Sequence, residues 1–549
     1  MAKALFKQLP AYSPELFPVN IFDKIPADHP VRLVEMVVNE LDINHIMSHY
    51  KGGGTTAYHP RMLLKVLFYS YLSNVYSCRK IAKALEENIH FMYISGNSIP
   101  DFRTINSFRG QILKEHIHKL FAELVKMLVS MGYVSLEVQY IDGTKIESVS
   151  NRYSFVWKKS VEKNKAKLET KIHQILSDIE GSIQSDNQEV NKEELPQSIN
   201  SQELKKQLSA INKRLKTPTK TQKKELKKLQ DEHLPKLEKY ELDLQTLGNR
   251  NSFSKTDHDA TFLRLKDDHM KNGQLKPAYN AQISTHNQFI THVSIHQTAT
   301  DTTTLESHLE GFENAYQQQS KEVVADAGYG SQENYELLEA KRVEAYIKYN
   351  YFHVEQKKKH KDNPFLVANL PYHPALDLYV CPAGQFMEKV TTSTRTSSNG
   401  YEADITHYQA KNCIGCPLRE QCHQSQDNRV IQVNHRLNQL KAKAKELLNS
   451  PKGLEHRSKR PIEVEAVFGQ MKSNNKFTRF TMRSLPKVEL EFLLMAIGHN
   501  FRKMTTQKNN HIFTNLTKDI SNLKNYLTII NQLYWGVKHI LNNNYIKFA

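Results

Sequence analysis

The sequence predicts an α/β protein in which strands and helices alternate along one chain, as in a layered fold. Two alternating apolar runs predict strands, and each run ends at an aspartate, Asp142 or Asp326. Helical spacing dominates before the first run and returns around Glu465. Between the two aspartates, a Lys- and Glu-rich stretch repeats its apolar residues in steps of three and four. These observations predict a helical N-terminal domain, a sheet-bearing core and a coiled-coil insert.

Length and charge bound the function. A chain of 549 residues is long enough for two to four domains, and its formal charge of +17 favours a polyanionic partner, although a generally basic proteome would also explain the charge. No apolar run reaches the ~18 residues of a membrane span, and residues 1–10 lack the features of a signal peptide. Five cysteines do not make a disulfide scaffold. We therefore expect a reduced, cytoplasmic and nucleoid-associated protein.

The N-terminal region predicts three short helices with basic outer faces. They cover residues 59–67, 77–85 and 100–109, and the first and third begin beside a proline. This pattern is typical of a helix-turn-helix-like DNA reader, and equally of an all-helical packing domain with a solvated basic face. The candidate DNA contacts are Arg79, Lys80, Arg103 and Arg109.

The stretch from Tyr153 to Leu247 has the coiled-coil period. The expected seam residues fall in three segments: Val161, Leu168, Ile172, Ile175 and Ile179, with Lys165 in a seam position; Leu204, Leu208, Ile211 and Leu215; Leu226, Leu229, Leu237, Tyr240, Leu244 and Leu247. Pro218 interrupts the pattern, and Pro235 predicts a kink. We expect a helical hairpin or short antiparallel bundle that serves dimerisation, DNA clamping or only spacing.

Strand signals resume after the insert. Residues 275–284 and 289–295 predict a hairpin, a helix is expected from Thr303 to about Tyr316, and a strand then ends at Asp326. A late helix carries Glu465, and an amphipathic helix is expected from Ile520 to Ile540.

Asp142, Asp326 and Glu465 are the candidate catalytic residues. Two strand-end aspartates and a helical glutamate can converge on a pair of Mg²⁺ ions, which promote in-line attack on a phosphodiester. Each aspartate alone is more often a turn or helix-cap residue. Glu463 competes with Glu465, from a different face of the same helix.

The cysteines form a second group. Cys413 and Cys416 have metal-knuckle spacing, Cys422 follows at an irregular distance, and Cys381 opens a Cys-Pro-Ala-Gly turn. Four thiolates of this kind can bind a structural Zn²⁺, with His423 as a substitute ligand; the alternative is a set of free thiols. Cys78 is expected in a core.

Five motifs carry a resemblance to one family, and they extend over roughly residues 15–505. They lie at residues 100–105, 140–145, 325–330, 464–472 and 498–503. The chain resembles the insertion-sequence DDE transposases of the IS-four/IS-five superfamily, in particular their IS-eleven-eighty-two branch.

The resemblance implies a ribonuclease-H-like core in which Asp142, Asp326 and Glu465 bind Mg²⁺, for which Mn²⁺ substitutes. It implies binding to the terminal inverted repeats of the element, hydrolytic cleavage, and joining of the 3′ ends to target DNA by transesterification. Double-stranded DNA and further copies of the chain are the implied partners. The sequence has no P-loop, so we expect no nucleotide cofactor.

The resemblance also implies which cations contact DNA. Lys472 matches a lysine seven positions after the family's glutamate. The family's arginine four positions before that glutamate is replaced by Pro461, which makes Arg460 or Arg457 the substitute. The remaining candidates are Arg479 and Arg483.

The expected domains follow in chain order. They are an N-terminal helical DNA-binding domain (1–132), a first core segment (133–156), the coiled-coil insert (157–250), a second core segment (251–350), a cysteine-bearing insert (351–450), a third core segment (451–510) and a tail (511–549). Two other interpretations remain: a domesticated DNA-binding protein that no longer cuts, and a structural coiled-coil protein stabilised by zinc.

Overall fold

The computed structural model describes residues 20–50, 56–186, 199–214, 219–265, 273–397 and 399–507. They form two units, one from residues 1–116 and 494–549 and the other from residues 117–493, each as far as it is described. The tail at 511–549, the helix expected from Ile520 to Ile540, and Leu215 and Pro218 lie outside the described residues. None of the described helices is long and apolar enough to cross a lipid bilayer.

Short helices build the first unit. They are α1 (Pro30–Glu40), α2 (Asn44–Met47), α3 (Pro60–Leu72), α4 (Cys78–Glu87), α5 (Ile89–Ser95) and α6 (Phe102–Ser107). The predicted starts of α3 and α6 are confirmed: Pro60 occupies the first turn of α3, and Asp101 caps α6 by accepting a hydrogen bond from the Arg103 N–H at 2.6 Å. A π-helical turn (Phe108–Leu113) joins α6 to α7 (Lys114–Ser130).

A mixed sheet organises the second unit. Its strands are β1 (Val138–Glu147), β4 (Thr261–Arg264), β5 (Leu275–His286), β6 (Phe289–His296), β7 (Glu322–Ala325) and β8 (Glu344–Ile347). β5 pairs antiparallel with β1, β4 and β6, whereas β1–β7 and β7–β8 are parallel, so the path runs β4-β5-β1-β7-β8 with β6 also beside β5. The predicted β5–β6 hairpin is confirmed, with only Asn287 and Gln288 in its turn. Both have positive φ, 53° and 64°, which suits the twist of a tight hairpin.

Helices cover both faces of this sheet. Successive strand residues enter different cores: Ile141, Val323 and Ala325 pack with α12 (Leu305–Tyr316), α13 (Gln332–Ala340) and α16 (His435–Asn449), while Tyr140 and Val324 pack with Leu448 and Val464. This alternation is what a strand buried on two faces requires. The predicted α/β layer architecture is confirmed.

The helical insert leaves and rejoins this unit through a two-stranded sheet, β2 (Phe155–Trp157) and β3 (Ser252–Ser254). Its helices are α8 (Lys158–Asp186), α9 (Ser201–Arg214), α10 (Lys220–Lys228) and α11 (Leu234–Leu247). Leu168, Ile172 and Leu176 of α8 share one buried cluster with residues of α9 and α11, so the apolar seam closes within one chain. Three predicted seam residues, Ile175, Leu226 and Tyr240, pack against this cluster but are only partly buried. Leu176, which was not among the predicted residues, is fully buried in it. At Pro235 the interruption is a π-helical turn (Leu229–His233).

The cysteine-bearing region contains α14 (Lys358–Lys361) and an antiparallel sheet in the order β13-β12-β11-β10-β9. These strands are β9 (Tyr372–His373), β10 (Leu378–Val380), β11 (Phe386–Thr396), β12 (Glu402–Ala410) and β13 (Val430–Val433), and α15 (Arg419–Cys422) precedes β13. After α16 the chain continues through α17 (Pro451–Arg460), a π-helical turn (Pro461–Glu465), α18 (Ala466–Gly469), a second π-helical turn (Gln470–Asn474) and α19 (Leu485–Gln507).

Neutral histidines fill the space between the β5–β6 hairpin and α12. The His308 imidazole hydrogen-bonds to Ser284 at 2.8 Å and to Ser294 at 2.6 Å, and the His292 ring packs against it. Burial lowers the pKa of His292 to about 3 and that of His296 to about 4. Such a histidine binds fewer protons in the folded than in the unfolded state, between its folded pKa and its unfolded pKa of about 6.5. The fold therefore loses stability as the pH falls through that window.

We expect the free energy of unfolding to fall by on the order of a few kcal/mol between pH 6.5 and pH 4, since each pKa unit corresponds to about 1.4 kcal/mol. His292→Leu should flatten this dependence, because one buried imidazole no longer has to stay neutral. Urea unfolding at a series of pH values measures it, with His373→Leu on exposed β9 as the control. Parallel curves for wild type and His292→Leu would contradict the explanation.

Candidate functional site

Three carboxylates surround the guanidinium of Arg460. Its Nη2 lies 3.1 Å from Asp142 Oδ2 and 3.8 Å from Asp326 Oδ2, and its Nη1 lies 3.3 Å from Glu465 Oε1. The structure thus brings together three acids that are far apart in the sequence. The Asp142 side chain is 14% exposed and that of Glu465 is 60% exposed, so the cluster opens to solvent on its helical side.

The parallel strands set the two aspartates at one level. Tyr140 pairs with Val324, so continuing the register by two residues places Asp142 beside Asp326. Asp326 directly follows β7, as predicted. The prediction that Asp142 ends its strand was wrong: β1 continues to Glu147, because β5 supplies an antiparallel partner along that whole length. Only the pairing with β7 stops before Asp142.

Each aspartate divides its two oxygens between two tasks. Asp142 Oδ1 accepts a hydrogen bond from the Gly143 N–H at 2.8 Å, and Asp326 Oδ1 accepts one from the Gly328 N–H at 2.8 Å. The Oδ2 atoms are those nearest Arg460. Each aspartate can therefore cap a turn with one oxygen and belong to the candidate site with the other.

A π-helical turn places Arg460 beside Glu465. The Ala466 N–H bonds to the Pro461 carbonyl, five residues back, instead of four as in an α-helix. Because the π-helical turn is wider by one residue, the fifth residue before Glu465 occupies the place that the fourth residue before it would take in a regular α-helix. Arg460 thus reaches Glu465 although Pro461 occupies the expected position. Glu463 lies elsewhere: it is buried, and its Oε2 accepts a hydrogen bond from the Gln288 N–H at 2.7 Å.

Sequence reasoning missed a fourth carboxylate near the site. Asp301 Oδ1 accepts hydrogen bonds from Asn280 at 2.8 Å and Gln282 at 3.0 Å, and Tyr329 donates to Gln282. A Cβ on Gly143 would lie 2.2 Å from the Gln282 amide nitrogen, so only glycine leaves room for this network. The available signal was the polar run at every second position of β5, which is unusual in a strand buried on both faces.

Burial and the nearby charges shift the pKa of two further residues at the site. Burial, and then the charges of Asp301, Asp142 and Asp326, raise the pKa of Tyr329 well above its usual value. Lys348 directly follows β8, and since Ala325 pairs with Ile347, it lies level with Asp326. Burial, and then the charges of Arg460 and Arg457, lower the pKa of Lys348. No pattern in the sequence indicated a role for this lysine.

The candidate DNA contacts of the N-terminal helices separate into exposed and buried residues. Arg79, Lys80 and Arg103 are exposed, and the guanidinium carbons of the two arginines lie 5.1 and 5.6 Å from the Phe102 ring centroid. The prediction for Arg109 was wrong. It is 5% exposed and donates to the Tyr71 hydroxyl at 3.3 Å and the Tyr76 carbonyl at 3.1 Å. The continuation of α6 as a π-helical turn carries Arg109 to the inner face.

The candidates after Glu465 also differ. The Arg479 guanidinium donates to the Ser148 carbonyl at 2.9 Å and the Ser150 carbonyl at 3.1 Å, and thereby fixes the segment after β1. Arg483 is exposed, and Lys472 is half-buried on the π-helical turn that follows α18.

All four cysteines of the second group line one small cavity. Cys381, Cys413, Cys416 and Cys422 share it with His423 and Arg429. Cys78 is buried in the other unit, as predicted.

Two family profiles match the chain. One, described as a transposase DDE domain, matches residues 380–505, which include the four cysteines, Arg460, Glu465 and Lys472. The other, described as a transposase domain (DUF772), matches residues 19–111, which include the exposed patch of Arg79 and Arg103. No curated protein matches the sequence.

Arg460→Gln removes the cation that offsets three carboxylates. We expect the free energy of unfolding in metal-free buffer to fall by about 2–4 kcal/mol, as for other broken buried pairs, with the exposure of Glu465 moderating the loss. Mg²⁺ should then stabilise the variant more than the wild type, because it no longer competes with the guanidinium. Urea unfolding with and without Mg²⁺ measures both effects. Lys459→Gln, which removes an exposed cation from the same helix, is the control; equal losses in both variants would contradict this role.

Proposed function

We propose that this chain, which belongs to the DDE transposases of insertion sequences, cuts DNA at the terminal inverted repeats of its element and joins the freed 3′ ends to target DNA. The observation that carries the proposal is the convergence of Asp142, Asp326 and Glu465 on one cation position. DDE transposase domains use divalent metal ions, and the chemistry proposed here needs such ions.

The donor set fits hard divalent cations. All three residues offer carboxylate oxygens, which Mg²⁺ and Mn²⁺ prefer, and the guanidinium of Arg460 marks where positive charge is stabilised. We infer that Asp142, Asp326 and Glu465 hold Mg²⁺, with Mn²⁺ as a substitute. Bound ions of this kind activate the attacking oxygen and stabilise the leaving oxygen of a phosphodiester.

The protein's own groups prepare the site. The hydrogen bonds from Gly143 and Gly328 fix the two aspartates, so their Oδ2 atoms are presented without further ordering. If bound cations replaced it at the carboxylates, the planar fork of Arg460 would be available to contact phosphate oxygens. Lys348, which lies level with Asp326, and Lys472, which follows Glu465 by seven residues, would supply further positive charge for the DNA backbone.

We infer that the sheet is a ribonuclease-H-like core. Three features support this: β1, β7 and β8 are parallel, β5 and β6 extend the sheet as an antiparallel hairpin, and helices cover both faces. The aspartates lie where the pairing of β1 with β7 ends, beyond the carboxyl end of β7, which is where open α/β sheets place their ligands.

Recognition of the element ends is assigned to the N-terminal unit. Arg79 and Arg103 form an exposed cationic patch around Phe102, and Lys80 is exposed next to Arg79; such cations suit the phosphates of double-stranded DNA. Assembly of further copies on the two ends completes the proposal. The helical insert closes its seam within one chain, so its own packing does not require a second copy.

Asp326→Asn should lower strand cleavage and joining by roughly a hundredfold to a thousandfold or more, since several kcal/mol of metal-dependent stabilisation are lost. Binding to the element ends should persist. Cleavage with Mg²⁺ or Mn²⁺ is measured on the inverted repeats found in the DNA flanking the reading frame. Asp404→Asn, the same change at an exposed position of β12, is the control. Full cleavage by Asp326→Asn would remove this residue from the site; wild type that binds but never cuts would favour the domesticated DNA-binding protein.

The double variant Arg79→Ala/Arg103→Ala should weaken binding to the element ends. The slope of log affinity against log salt concentration should become shallower by about two units, because each phosphate contact contributes roughly one unit to that slope. Fluorescence anisotropy at several salt concentrations measures this, with Lys411→Ala in the cysteine-bearing region as the control. An unchanged slope would exclude the patch from the DNA interface.

A further inference from the structure

The four clustered cysteines come from three separate segments. Cys381 begins the turn between β10 and β11, Cys413 and Cys416 lie in the turn after β12, and Cys422 ends α15. Their shared cavity has a volume of about 20 Å³. A space of that size holds one water-sized particle or one ion.

Backbone N–H groups already point at two of the sulfurs. The Gln385 N–H donates to Cys381 Sγ at 3.3 Å, and the Arg429 N–H donates to Cys413 Sγ at 3.4 Å. Hydrogen bonds of this kind stabilise thiolates relative to thiols and orient them for a metal.

Arg429 places a buried positive charge beside the cysteines. It is 7% exposed, and its guanidinium donates to Cys422 Sγ at 3.0 Å and to the Phe365 carbonyl at 2.6 Å. Among the described residues, no carboxylate lies within ion-pair distance of it. A buried guanidinium is costly without a compensating negative charge. Here the group that faces it is a thiol cluster, which carries negative charge only when the thiols are deprotonated.

The turn from Cys413 to Cys416 has a suitable shape. Gly415 has a φ of +72°, which favours glycine, and the Cys416 N–H returns to the Cys413 carbonyl at 3.4 Å. The tight turn directs both cysteines to the same cavity while Ile414 stays exposed at its tip.

We propose that Cys381, Cys413, Cys416 and Cys422 bind one Zn²⁺ and that Arg429 balances the charge of the resulting tetrathiolate. Binding releases the four thiol protons to solvent without any redox change, and it leaves a site of charge −2 beside one guanidinium. Thiolates select Zn²⁺ over Mg²⁺, so this site is chemically separate from the carboxylates around Arg460.

Binding would also tighten the cluster. In the described part of the chain, no three of these sulfurs lie within 4.8 Å of one another. Zinc bonds of about 2.3 Å imply sulfur separations of about 3.8 Å. The required approach joins three segments at one end of a sheet whose buried core has only eight residues, so the ion stabilises a region with little core of its own.

The test is the metal content of the purified full-length chain. We expect about one zinc per chain by inductively coupled plasma mass spectrometry, and tetrahedral thiolate absorption in the visible after exchange with Co²⁺. Cys416→Ser and Cys422→Ser should each lose most of the metal, whereas Cys78→Ser should keep it. Arg429→Met should lower Co²⁺ affinity at least severalfold, because the tetrathiolate loses its counter-charge.

Two results would overturn the proposal. The first is wild-type protein, expressed with added zinc, that contains no zinc and takes up no Co²⁺. The second is loss of metal in His423→Gln with retention in Cys422→Ser; both His423 ring nitrogens are buried without a hydrogen-bond partner, and this result would make His423 the fourth ligand. Neither readout depends on DNA cleavage, so this proposal and the proposed function fail separately.

Discussion

The second unit is organised by the need to hold three negative charges around one point. Carboxylates this close repel one another, and the repulsion is tolerable only if a cation lies between them. Arg460 provides that cation, with nitrogen–oxygen distances of 3.1 to 3.8 Å. Strand register, the caps on Asp142 and Asp326, and the π-helical turn before Glu465 all serve this arrangement. Because the cluster fixes β1, β7 and the late helix relative to one another, long inserts are tolerated between them.

The inserts are compatible with the site because each returns close to where it leaves. β2 and β3 pair at the base of the helical insert, so its two ends are held together before β4 and β5 rejoin the sheet. The apolar residues of α8, α9 and α11 are buried against one another and place no demand on the sheet. The cysteine-bearing region likewise has a core of its own. The long inserts between Asp142, Asp326 and Glu465 therefore do not disturb the positions of these three side chains.

The spacing of apolar residues predicted those helices and strands that depend mainly on neighbouring residues. Alternating apolar residues identified the β5–β6 hairpin and the strand before Asp326, and helical spacing identified the helix that carries Glu465. The spacing of apolar residues does not predict which strands pair or where a helix becomes irregular. Asp142 continues a strand because of β5, more than a hundred residues later. Arg109 is buried and Arg460 reaches Glu465 because a π-helical turn shifts each helix by one residue, which no 3.6-residue period reveals. Asp301 and Lys348 matter only through neighbours that the tertiary fold supplies.

One device occurs twice with opposite consequences. Arg460 touches the carboxylate oxygens that a metal ion would need, so it stabilises the site as it stands and would compete with the proposed ion. Arg429 contacts one sulfur and a peptide carbonyl, and it can remain in place when the thiols close on an ion. An arginine that occupies the ligand atoms favours exchange of the bound cation. An arginine beside the ligands favours lasting retention of the cation. This difference fits the two proposed roles, exchange of cations at the carboxylates and lasting retention of zinc by the thiolates.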